Sequence, residues 1–509
     1  MKKIFLIFAV LLLVSIGTIF LIYKKNIETV NEFSSIIENL NHNNESNLVD
    51  LSSITNLTKI ALKLNDSNLL SIFIKPEQKE LVKIIANIAP ELESVVAELS
   101  NKPQKWIIIF QNSNELRATG GFMGSYAIVD INEGKIVSIN TEDIYDSDGQ
   151  FTGFVDAPKG VDKYLSSGNG LRLPDANWNP NLNSSAEQIL QFFALGNKQN
   201  IAGIVFVNLD FAKQLLETTG PIELSDYNTI VTKDNIDEVL RSRRDDFFPG
   251  SLQKKHMLSQ LLTKVRIQLL ESGKDELITL FNLFVSAIQE KDLQFYSTNK
   301  IIEDTFKKYE MKQKVMIPEN SEYIYLLESN VGINKANKNI DRSVILQKKE
   351  SDRKIMINFQ NNNIKPDTSK LTEIIEETFI INQTDSQSSN QKNTNKSNTN
   401  NHLAYVNYQR VLVPENWQLQ SVWYQGEPLT EIDKEIIETD SGKKIKQLGF
   451  LITLSEQETG NLELNFTSNQ NFEKIYIQKQ PGIPAVSYIL EYNQESVTHI
   501  INKNSLLSY

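Results

Sequence analysis

No cysteine occurs in the 509 residues, which excludes disulfides, thiolate nucleophiles and cysteine-held zinc together. Histidine is almost as scarce. His42, His256, His402 and His499 stand alone, with no HExxH spacing for zinc and no neighbouring signature of a catalytic triad. The chain has no P-loop, no GxGxxG and no GxSxG. Long basic runs are missing as well. With 52 Lys and Arg against 63 Asp and Glu the net charge is −11, so nucleic acid is not an expected partner. What is present is 40% apolar and 23% charged residues. That is the balance of a folded protein, at a length that calls for two or three cores.

One long uncharged run stands at the start. Lys2 and Lys3 precede Ile4 to Tyr23, and Lys24 and Lys25 close it. At ~1.5 Å per residue this covers roughly the ~30 Å hydrocarbon core of a membrane. It is longer than the apolar part of a secretory signal and lacks an A-x-A-like end. The expectation is an uncleaved signal anchor over residues 1–25, a single-pass transmembrane helix in the cell membrane with the bulk of the chain extracytoplasmic. Residues 26–103 read as a helical spacer, with an apolar stripe from Leu81 to Val96 interrupted by Pro90.

Residues 104–290 alternate strand and helix, which predicts a layered α/β domain. Strands are expected at Trp106–Phe110, Ser125–Ile131, Lys135–Glu142 and Ile204–Asn208. Helices are expected at Ser184–Phe193, Phe211–Thr218, Asp234–Arg243 and Leu252–Glu271, the first capped by Ser184 or Ser185. Gly149 to Pro180 is long and rich in Gly, Pro, Asp and Asn, and reads as a lid or binding loop. A connector, 291–317, leads to residues 318–509. There, about ten short strands predict a β-sandwich interrupted by a polar, disordered loop at 382–401.

Within the α/β part, QNSNELRATGGFMGSY (Gln111 to Tyr126) combines charge, glycine and flanking strands most tightly. Glu115, Arg117, Thr119, Gly120 and Gly121 sit on a turn leaving a strand end, where α/β sheets place ligands. The alternative is a tight hairpin whose Arg and Glu pair with each other. Asp143 stands in an acidic group with Glu142, Asp146 and Asp148 just past a strand. Arg241, Arg243 and Arg244 form a third group at a helix end. Such arginines make a fork for phosphate oxygens, and a carboxylate such as Asp143 could hold a magnesium ion bridging them. The bland alternative for the third group is a solvated charge patch where a helix end favours cations.

The stretch NELRATGGFMGSY resembles the signature of a bacterial family called domain of unknown function 4012 (DUF4012). So do LRLPDANWNPNLNSSAEQI (Leu171 to Ile189), ESNVGINKANKNIDR (Glu328 to Arg342), NYQRVLVPENW (Asn407 to Trp417) and YIQKQPGIP (Tyr476 to Pro484). The resemblance implies a membrane-anchored envelope protein of unassigned activity. The α/β part is also distantly similar to the LytR-CpsA-Psr family, which moves glycopolymers from a polyprenyl diphosphate carrier onto the cell wall. That likeness implies a LytR-CpsA-Psr-like fold, with Arg117, Asp143, Arg241 and Arg243 at diphosphate- or metal-binding positions. This chain departs from that pattern. Glycines follow Arg117 where an acid is expected, and Glu142 stands where an arginine should precede Asp143. Two functions remain open: capture of a surface glycan, lipid-linked phosphate or protein partner, and glycopolymer transfer from a polyprenyl diphosphate.

Overall fold

The run WIIIF lies in strand β1 (Gln104–Asn112), and its lack of polar alternation has a structural cause: both faces of its sheet are covered. The computed structural model describes residues 93–133, 135–237, 252–271, 274–364, 404–439 and 442–509, with isolated positions at 62, 91 and 239. The proposed anchor at 1–25, most of the spacer, Arg241, Arg243, Arg244 and the loop at 382–401 lie outside the described residues. No helix among the described residues is long and apolar enough to cross a membrane.

The chain forms a mixed α/β unit followed by a strand-rich region. In the first unit β1 is joined by β2 (Phe122–Asn132), β3 (Lys135–Asp143), helix α1 (Ile144–Asp148), helix α2 (Leu182–Leu195), β4 (Ile201–Asn208) and helix α3 (Leu209–Thr219). A small pair, β5 (Ile222–Leu224) and β6 (Thr229–Val231), precedes α4 (Leu252–Glu271) and α5 (Lys274–Glu290). β7 (Leu293–Ser297) and α6 (Lys300–Lys308) complete it. The sheet order is β3-β2-β1-β4-β7. Only the β1–β4 pair is parallel. Ile107 and Ile109 face a core with α2, whereas Trp106 and Ile108 face one with α3, α5 and α6. Val95 and Leu99, from the last turns of the spacer, join this second core. The spacer therefore ends docked on the sheet.

Two details differ from the sequence reading. The cap of α2 is Asn181, which accepts from the Asn183 amide, not Ser184 or Ser185. Residues 291–317 are more than a connector, because β7 closes one edge of the sheet. β7 is buried at all five positions, so it offers no alternation to read.

The strand-rich region holds β8 (Glu322–Asn330), β9 (Ile340–Lys349), β10 (Asp352–Asn361), β11 (Tyr405–Pro414), β12 (Gln418–Tyr424) and β13 (Glu427–Pro428). It continues with β14 (Asp433–Glu438), β15 (Lys444–Leu454), β16 (Thr459–Thr467), β17 (Lys474–Gln478), β18 (Val486–Tyr492), β19 (Glu495–Ile501) and β20 (Ser505–Ser508). They make a seven-stranded sheet, β13-β12-β16-β10-β9-β18-β19, and a six-stranded sheet, β14-β15-β11-β8-β17-β20. One core joins them: Val344, Ile355, Leu462 and Leu464 from the first meet Val411, Leu448, Phe450 and Ile477 from the second. A buried ion pair inside this region links Arg353 to Glu322 at 2.6 Å, and the Tyr509 hydroxyl donates to the same carboxylate at 2.6 Å.

Candidate functional site

The β1–β2 loop turns on its own backbone. The Glu115 amide donates to Asn112 O (3.1 Å), Gly120 N to Arg117 O (3.1 Å) and Phe122 N to Glu115 O (2.8 Å). Gly120 has φ +133°, and a Cβ there would strike the Asn208 side chain at 2.3 Å. Glycine is required at that position twice over. Gly124 has no such close neighbour, since a Cβ there would meet only the Phe122 ring at 3.8 Å.

Every residue from Ser113 to Gly121 is buried. Arg117 is 1% exposed, and all three guanidinium nitrogens are engaged by the protein itself. Nε donates to Asp175 Oδ1 at 3.0 Å. One terminal nitrogen donates to Leu116 O (3.1 Å) and Asn330 O (2.6 Å). The other lies 2.9 Å from Asp175 and 3.5 Å from Glu115. The pairing of Glu115 with Arg117 that the hairpin reading expects is therefore present. It is one leg of a larger clamp reaching β8. Thr119 Oγ1 accepts from Gln111 (2.5 Å) and Asn177 (2.9 Å), and Thr119 O accepts from Gln294 (3.0 Å). Gly121 O accepts from Asn177 at 2.9 Å.

Asp143 is the N-cap of α1. Its carboxylate accepts from the Tyr145 amide at 3.1 Å, and Asp146 returns the favour to the Asp143 amide at 3.2 Å. The neighbouring acids are also engaged. Asp148 holds Arg172 (3.1 Å), and Glu142 holds Lys198 (2.6 Å) and accepts from Tyr126 (2.6 Å). Burial and the Glu142 carboxylate push the Tyr126 hydroxyl far above its ordinary range. Among the described residues no three Asp, Glu or His side chains converge as a metal would require. The Asp143 carboxylate is engaged in capping α1.

The segment read as a lid or binding loop is a strap with a packed part and a surface part, residues 152–159 being half-buried or exposed. Val161, Leu171, Leu173 and Trp178 are buried in the core beneath α2. Its far end lies on the six-stranded sheet. Arg410 of β11 donates to Trp178 O (3.0 Å) and Ser329 Oγ (3.0 Å) and lies 4.6 Å from the Trp178 ring. Tyr408 stacks on the same indole at 5.7 Å. Arg410 is fully buried, and among the described residues its Nε has no hydrogen-bond partner. Burial lowers its pKa to about 10.

Sequence reasoning named Arg117 but missed its partners, and it passed over Arg410 altogether. The only signal was that these residues fall inside the stretches carrying the resemblance. Arg117 meets Asp175, Asn330 and, through its carbonyl, Gln480 Nε2 at 3.2 Å. A Cβ on Gly482 (φ +76°) would lie 1.9 Å from Gly120 O. The five stretches therefore converge on one internal seam, where the α/β unit covers the outer face of the six-stranded sheet. No curated protein matches the chain. Residues 101–244, which carry the loop, Asp143 and the strap, match the model of a family described as protein of unknown function (DUF4012).

Proposed function

We propose that this is a cell-envelope protein, held to the membrane through residues 4–23, that captures cell-surface glycan and carries out no transfer chemistry. What argues against transfer is the state of Arg117. Its nitrogens are spent on Asp175, Glu115 and two carbonyls in a loop without solvent access. A phosphate would have to displace a buried ion pair to reach it, which costs several kcal/mol. The strand-rich region, on this reading a β-sandwich, supplies the binding surface, and the α/β unit, on this reading LytR-CpsA-Psr-like, holds it rigidly.

The test uses the full chain in detergent micelles, sedimented with insoluble bacterial cell wall and separately titrated with farnesyl diphosphate and magnesium. The expected result is co-sedimentation with the wall and no farnesyl diphosphate binding. A parent chain that stays in the supernatant overturns the capture reading. Saturable farnesyl diphosphate binding that Arg117→Ala abolishes would restore the transfer reading.

A further inference from the structure

Strand alternation in the seven-stranded sheet sends Ile355, Ile357, Leu462, Leu464 and Val422 into the core and the residues between them outward. The pairing register aligns those outward residues in rows across the sheet. The middle row runs Trp423, Glu463, Met356, Ile345, Ile489. On one side lie Asn461, Asn358, Ser343 and Ser487, and on the other Ser421, Asn465, Lys354 and Gln347. Trp423 is 39% exposed.

Two open hollows flank the middle row. One, of about 360 Å³, is bounded by Lys354, Gln420, Asn465 and Thr467. The other, of about 440 Å³, is bounded by Asn358, Gln425 and Asn461. Their centres are about six residues apart along β10, or ~20 Å. The amides are already tied in place. Asn461 donates to Asn358 (2.7 Å), Asn358 to Ser343 (3.3 Å), and Asn465 to Ser421 (3.0 Å) and Glu463 (2.9 Å). Lys354 lies 2.8 Å from Glu463, so its charge is matched within the row.

This chemistry selects its ligand. A phosphate or a polyanion would find Lys354 matched by Glu463, and Lys349 at the edge of the first hollow standing opposite Asp352 in the register. A protein partner favours a broad interface core of apolar and aromatic groups, whereas the apolar residues here, Trp423, Met356, Ile345 and Ile489, form one row a single residue wide with amides and hydroxyls on both sides. Amides, like hydroxyls, both donate and accept, and an indole face takes the C–H side of a sugar ring. We propose that a linear, neutral glycan lies across this face, one ring stacked on Trp423 and its two ends reaching the hollows. This rests on the glycan-capture reading above and supplies its site.

The experiment titrates the full chain, in detergent, with two neutral probes, cellohexaose and chitohexaose. The second carries acetamido groups that the first lacks, so the pair distinguishes the two sugar classes. At least one should bind, and Trp423→Ala should weaken it tenfold or more. Asn461→Ala should weaken it severalfold. Both variants should remain folded, and Asn461→Ala, at an exposed position, should keep the parent's unfolding midpoint. Binding by neither probe overturns the proposal, as does equal binding by parent and both variants. Trp423-dependent self-association in sedimentation velocity also overturns it, because the face would then be a protein interface. If the variants still co-sediment with cell wall as the parent does, the site falls and capture stands; if the parent itself fails to co-sediment, capture falls.

Discussion

The two sheets of the strand-rich region present outer faces with opposite roles. On the six-stranded sheet, Tyr325, Leu327, Arg410 and Leu412 point outward and are covered to 1% exposure or less. On the seven-stranded sheet, Trp423, Asn461 and Gln360 point outward into solvent. The covered face holds the residues of the resemblance, from Asn330 through Arg410 to Gln480. Of them the open face holds only Asp341, at the start of β9, among the described residues. Most of a sequence signature can thus mark where a protein is joined to itself, and a binding surface is then to be sought on the face that carries little of it.

The comparison breaks most easily at Arg117. Removing its guanidinium takes the donor away from the Asp175 carboxylate and the Asn330 carbonyl in a buried loop. Arg117→Ala should cost about 3–5 kcal/mol. Arg117→Lys should recover little, since one ammonium cannot span Asp175, Leu116 O and Asn330 O. Urea unfolding followed by circular dichroism measures both. A loss under about 1 kcal/mol would mean the clamp is not holding the seam. The same measurement separates two tryptophans. Trp178→Ala, which removes the ring under Arg410 and Tyr408, should cost about 3–5 kcal/mol, and Trp423→Ala under about 0.5 kcal/mol.

Two glycines sharpen the contrast at smaller scale. Gly482 and Gly426 both have positive φ, +76° and +84°. A Cβ at Gly482 meets Gly120 O, whereas at Gly426 it meets nothing within 4 Å. Gly426→Ala should cost only the backbone strain, about 1 kcal/mol. Gly482→Ala adds overpacking of about 1–3 kcal/mol and should loosen the seam. Equal losses at the two positions would show that the close approach of the two loops contributes nothing.

Much of the frame was legible in the residues. The apolar run at Trp106, the turn at Gly120 and the full extent of α4 (Leu252–Glu271) follow from local pattern. Alternation in β9, β10 and β16 shows which face is inward. The fate of Arg117 was not legible, because its partners Asp175 and Asn330 lie 58 and 213 residues away. Spacing rules see one helix turn or one hairpin and give no sign that a distant carbonyl will fill a guanidinium fork. β14 was missed because DKEIIE is short, charged and half exposed, and its identity as a strand depends on pairing with β15.

A last expected effect concerns charge at the rim of the covered face. Burial brings Lys291 down from 10.5 to about 8, with Lys479 adding to the shift. A lysine whose pKa is depressed on folding contributes stability that is full above the unfolded value of 10.5. That contribution is lost as pH falls through about 8. Carrying the charge at neutral pH therefore penalises the folded state. Lys291→Met removes the titration. Its stability relative to the parent should be highest near pH 7 and should decline as pH rises from 8 to 10.5. Unfolding midpoints of the two chains at matched pH values give that difference directly, free of groups that titrate equally in both. A difference that does not change across this window would mean Lys291 reaches water from its place beside the seam. The covered face would then be wetter than its packing implies.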